Sequence, residues 1–104
     1  PVALKNETIM KILLIEDDEH HAFLEEDALR SELACELRIV HSKLELTSED
    51  IRFAHIILLD FNLPDATGEE ILEEIRRFTD VPVIIITGND ELQIAIDTLK
   101  SGAR

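Results

Sequence analysis

A chain of 104 residues can bury one core and no more, and an apolar share of 45% is ordinary for a folded domain rather than a disordered one. Ten Lys and Arg against 23 Asp and Glu leave a net charge of −13. That argues against this domain gripping DNA or RNA, because neutralising phosphates needs basic side chains, and it suits a metal cation or a basic partner surface. The single cysteine, Cys35, rules out an internal disulfide and suits a cytosolic setting, and no apolar stretch approaches the roughly 20 residues of a membrane span.

Residues 1–9 precede Met10, a sensible native start, and read as a linker or a non-native lead-in with no signal peptide in it. The folded unit is expected over 10–104. Ile12 to Ile15 is a run of four apolar residues that ends in Glu16 and Asp17. Such runs, rich in Ile, Leu and Val and bounded by polar residues, fit strands of a parallel sheet buried on both faces. From about Glu19 to Leu33 the apolar residues Leu24, Ala28, Leu29 and Leu33 recur at near-helical spacing, with Asp18 as N-cap. Cys35 lies among apolar neighbours and reads as a small packing residue.

Leu37 to Val40 reads as a second strand and Ser48 to Phe53 as a short helix capped by Ser48. Ile56 to Leu59 is the next buried strand and runs into Asp60, after which a loop carries Pro64 and Gly68. The following helix places Ile71, Leu72, Ile75 and Phe78 on one stripe, with Glu69, Glu70, Glu73, Glu74, Arg76 and Arg77 mostly off it. Asp80 to Pro82 turns the chain into Val83 to Ile86, which runs into Thr87. A last helix from about Glu91 to Lys100 carries Leu92, Ala95, Ile96 and Leu99 on one face and is expected to stop at Gly102.

This alternation implies an α/β fold, a parallel sheet with right-handed crossovers and helices on both faces. In a parallel sheet the ends of all strands crowd one edge, where open α/β sheets bind ligands. Glu16, Asp17, Asp60 and Thr87 are therefore expected to meet. Two unit charges about 4 Å apart repel by roughly 4 kcal/mol at an effective dielectric of 20. Three gathered carboxylates need a shared proton or a divalent cation, and Mg²⁺ fits because it takes a few carboxylate or carbonyl oxygens and keeps several waters. Such an ion would neutralise the oxygens of an incoming phosphoryl group and let a carboxylate attack phosphorus in line. The three glycines, Gly68, Gly88 and Gly102, are scattered and form no phosphate loop. His20 and His21 read as exposed polar residues, and His41 and His55 carry no expected role.

The segments Lys11-Ile-Leu-Leu-Ile-Glu16-Asp17-Asp18, Ile57-Leu-Leu-Asp60-Phe-Asn62-Leu-Pro64-Asp65-Ala-Thr-Gly68 and Pro82-Val-Ile-Ile-Ile-Thr87-Gly88 resemble the receiver domain of bacterial two-component response regulators. Leu99-Lys-Ser-Gly102-Ala103 resembles the stretch after that family's fourth helix, so the likeness covers Met10 to Ala103. It implies a flavodoxin-like, doubly wound parallel sheet in the order 2-1-3-4-5. It implies that Asp60 is phosphorylated by a partner histidine kinase or histidine phosphotransfer protein. Asp17 would be a direct Mg²⁺ ligand, Glu16 would act through a metal-bound water, and Asn62 would offer its backbone carbonyl. Thr87 would be the switch hydroxyl, and Gly88 would govern access to the phosphoryl group. The protein would be a cytoplasmic phosphoacceptor rather than an enzyme, and the face around the fourth helix would change its interactions.

The resemblance departs from the family in one respect. Receivers continue into a fifth strand, a Lys-Pro pair and a fifth helix, and none of these is within the 104 residues; Lys100 is misplaced to stand in for that Lys. If the protein ends here, Val83 to Ile86 is an unprotected edge, the face beside the first helix is bare, and homodimerisation or poor stability is expected. A degenerate receiver acting as a binding or dimerisation module is therefore a second reading. A Mg²⁺-dependent phosphatase is a weaker one, because that class wants an Asp where Asn62 follows Asp60.

Overall fold

The structure, a computed structural model, describes residues 9–102. The expected lead-in over residues 1–8 and the Ala103 and Arg104 positions lie outside them. Strands β1 (Met10–Ile15), β2 (Cys35–Val40) and β3 (Ile56–Asp60) alternate with helices α1 (Glu19–Glu32) and α2 (Ser48–Phe53). Two-residue strands β4 (Asn62–Leu63) and β5 (Ala66–Thr67) follow, then α3 (Gly68–Arg76), β6 (Val83–Ile86) and α4 (Asn89–Gly102). The four longer strands form one parallel sheet in the order β2-β1-β3-β6, the flavodoxin-like arrangement expected from the sequence.

The apolar runs form central strands because both of their faces are buried. Leu13, Ile15, Ile57 and Leu59 pack on one side with Ile51 of α2 and Ile71 and Ile75 of α3. Ile12, Leu14, Ile56, Leu58 and Ile86 pack on the other with Leu29 of α1 and Leu92 and Ile96 of α4. This is the alternation of a pleated strand, read out on two apolar layers instead of one. Leu58 is fully buried between the strands that flank β3. Leu58→Ala is expected to cost about 2–5 kcal/mol, the usual range for such a core truncation, as a lower denaturant midpoint with an unchanged slope.

Several expectations are corrected by packing. In α1 the buried stripe is Ala22, Glu25 and Leu29, whereas Leu24 is 48% exposed. The cap of α2 is Thr47, not Ser48: the Thr47 hydroxyl accepts from the Asp50 N–H and the Asp50 carboxylate accepts from the Thr47 N–H, a reciprocal capping box. Among the described residues α4 runs through Gly102, where the sequence expected it to stop. On the α1 side of the sheet α4 packs through Leu92, Ala95 and Ile96, while Phe23 and Leu24 of α1 expose apolar surface as expected. β6 does stand at the edge of the sheet, with Val83, Ile84 and Ile85 only partly buried. The loop after Asp60 contains the β4–β5 hairpin, and the Asp65 carboxylate at its turn accepts from the backbone of Lys43 and Leu44, 3.0 Å each.

Candidate functional site

Strand register brings the site together. Ile15 of β1 pairs with Leu59 of β3, so Glu16 and Asp60 leave neighbouring strands at the same level. Asp60 in turn pairs with Ile86, and Thr87 follows it. A cleft at this edge is lined by Glu16, Asp17, Asp60, Thr87 and Gly88 together with His21 and Glu25 of α1. One carboxylate oxygen from each of Glu16, Asp17 and Asp60 lies within 4.8 Å of the others. The expected cluster therefore forms, and Thr87 and Gly88 sit on its rim as exposed residues. Asn62 begins β4, two positions after Asp60.

Glu16 is held firmly. It is only 4% exposed; its N–H donates to the Val40 carbonyl (2.9 Å) and its Oε2 accepts from the Asp18 N–H (3.2 Å). His41 Nδ1 lies 2.9 Å from the Glu16 carbonyl oxygen, which can only accept, so that ring nitrogen carries the hydrogen. Asp18 caps α1 by accepting from the His21 N–H at 2.9 Å, which sets where the helix leaves the acidic turn.

Without a cation the cluster holds protons. Burial, and next its hydrogen bond with Asp60, push the Glu16 carboxyl up to about 9 despite the opposing Asp18 N–H. Burial, followed by contact with Asp60, also raises Asp17. Three oxygen ligands in mutual reach, one of them buried and reluctant to ionise alone, are the donor set a hard divalent ion such as Mg²⁺ takes. Among the described residues none that lines the cleft is a Lys or Arg, and Lys100 instead pairs with Glu32 at 3.2 Å.

Gly68 supports the loop behind Asp60. A Cβ at this position would overlap the ring of Phe61, the residue next to Asp60. Gly68→Ala is expected to destabilise the domain by about 1–3 kcal/mol, against the usual gain for replacing a helical Gly, and chemical denaturation would register it.

A model of the response regulator receiver domain matches residues 12–104. The chain belongs to that family. It is 37% identical over 98 residues to the transcriptional regulatory protein KdpE of Staphylococcus aureus, covering 89% of this chain and 40% of that protein. It is 33% identical to the cell cycle transcriptional regulator CtrA of Caulobacter vibrioides, covering 90% and 41%. The receiver domain thus spans about two-fifths of the length of these relatives. A response regulator receiver domain protein of Bacillus halodurans shares the fold, with a TM-score of 0.74 at 21% identity over 86% of this chain and 96% of that one.

Glu25 of α1 also lines the cleft of this receiver domain, a residue that the sequence does not single out. Its spacing from Ala22 and Leu29, three and four residues, matches one helical face, but only the packed structure shows that this face is the buried one.

Proposed function

We propose that this receiver domain takes a phosphoryl group on Asp60 from a phosphohistidine of a partner kinase or phosphotransfer protein. The observation that carries the reading is the gathering of the Glu16, Asp17 and Asp60 carboxylates at one sheet edge, with Thr87 on the rim of the same cleft. Asp60 supplies the nucleophile: a carboxylate oxygen forms the new O–P bond as the P–N bond breaks, and the imidazole leaves with that electron pair. Asp17 would hold Mg²⁺ directly and Glu16 through a metal-bound water, with Asp60 and the Asn62 backbone carbonyl completing the protein's share. The bound ion would supply charge neutralisation for the phosphoryl oxygens. Thr87 would offer its hydroxyl to one of those oxygens, and Gly88, with no side chain, would leave the approach open.

The phosphorylated state would be passed on by a change around α4, whose first residues follow Thr87 and Gly88 directly. Regulation of transcription, the role printed in the names of KdpE and CtrA, would then belong to parts of a protein beyond this acidic domain. Among the described residues no helix is long and apolar enough to cross a membrane. A partner kinase that donates its phosphoryl group in the cytoplasm would put this domain there with it. Residues 10–104 form the receiver unit in this reading.

Incubation of the chain with a small acyl phosphate and Mg²⁺, read by intact-mass spectrometry, tests the proposal. One phosphoryl group, labile to acid and absent when a chelator removes the cation, is the expected result. A protein that stays unmodified would favour the second reading, a binding module independent of phosphorylation.

A further inference from the structure

Helix α1 places a carboxyl where its core-facing stripe calls for an apolar side chain. Glu25 lies between Ala22 and Leu29 on the buried face, at 8% exposure, and lines the same cleft as Glu16 and Asp60. It meets Glu16 through one hydrogen bond, while its Oε1 is buried with no partner. Buried polar atoms are nearly always satisfied, and an orphan facing a cluster of acidic ligands has one natural complement, a hydrated cation whose waters donate outward. Glu25 is not among the group of oxygens formed by Glu16, Asp17 and Asp60, so its place is behind that group.

We propose that Glu25 is a fourth carboxylate of the cation site, a positioning residue that orients Glu16 and accepts a hydrogen bond from a water on the bound divalent ion. The inference rests on reading Glu16, Asp17 and Asp60 as that site. It explains the break in the apolar pattern of α1: the residue stands where packing alone would favour Leu or Ile, and its stabilising partner arrives with the ion.

Isothermal titration of the full chain with Mg²⁺ alone, and with Mn²⁺ alone, tests this in the parent, Glu25→Gln and Glu25→Leu. Outer groups of metal sites typically change affinity about 10- to 100-fold. Glu25→Leu is expected to bind both ions weaker by that factor. Glu25→Gln, which keeps an acceptor oxygen without the charge, should fall between the two. Without a cation the melting temperatures should run the other way, highest for Leu, because the buried unpartnered oxygen is gone. Gln is isosteric and secures a folded comparison. Equal affinities in all three proteins would overturn the role of Glu25 and leave the cation site standing. A parent that binds neither ion would overturn both.

Discussion

Asp60→Asn should leave no detectable acid-labile phosphoryl adduct while the domain stays folded. An amide has the shape of the carboxylate but no anionic oxygen to attack phosphorus, so the loss is one of chemistry rather than architecture. The charge count makes the control informative. Asp60 shares a 4.8 Å cluster with Glu16 and Asp17, and two ionised carboxylates at that range repel by roughly 3–4 kcal/mol at an effective dielectric of 20. The variant should therefore melt no lower than the parent without cation, and gain less from added Mg²⁺, because one ligand has lost its charge. Intact-mass spectrometry and thermal melts on the same samples separate the outcomes. An adduct of undiminished yield in Asp60→Asn would move the phosphoacceptor to another residue.

The second large effect is a coupling of stability to pH and cation. Glu16, Asp17 and Glu25 all have carboxyl groups raised above their ordinary values, chiefly by burial, and Glu16 is pushed up to about 9. A raised acid binds its proton more tightly folded than unfolded. The folded state therefore carries more protons than the unfolded one between ordinary carboxylate pH, about 4, and about 9. Stability falls across that window as pH rises, by up to roughly 1.4 kcal/mol per pH unit for each proton of difference. Asp18 and Asp65 are lowered by the backbone N–H groups they accept from; they act below the ordinary carboxylate range and do not oppose the slope. Mg²⁺ favours the ionised cluster and stabilises by about 2.7 kcal/mol when it is present at 100 times its Kd. Denaturation curves from pH 5 to 8.5 should decline in chelator and flatten in Mg²⁺. A chelated protein that gains stability with rising pH would contradict the clustering of these carboxylates.

Much of this protein was written locally. Four consecutive apolar residues at 12–15, 56–59 and 83–86 could only be satisfied by burial on two faces, which is why the strands lie where the sequence predicts them, with β6 at the expected Val83–Ile86. The stripe of Ile71, Leu72 and Ile75 fits α3 and its packing for the same reason, a helical period matched to one apolar layer, while Phe78 reaches that layer from the turn after the helix. Glu16, Asp17, Asp60 and Thr87 were legible because each ends such a strand, and a parallel sheet leaves the strand ends no other place to go.

Other features depended on neighbours that no short window contains. Leu24 and Glu25 are adjacent on α1 and both line the cleft, and only the packing of the helix decides that the carboxylate is buried while the leucine stays 48% exposed. The fit of a Gly at position 68 is set by the ring of Phe61 from the preceding loop, and the anchoring of the 43–44 backbone by Asp65 joins residues more than 20 apart in sequence. The packing of α4 on the α1 side of the sheet is likewise a matter of where space remained. Periodicity and residue type specify which groups must be buried or left at a strand end; distances between groups far apart in the chain exist only once the layers have packed.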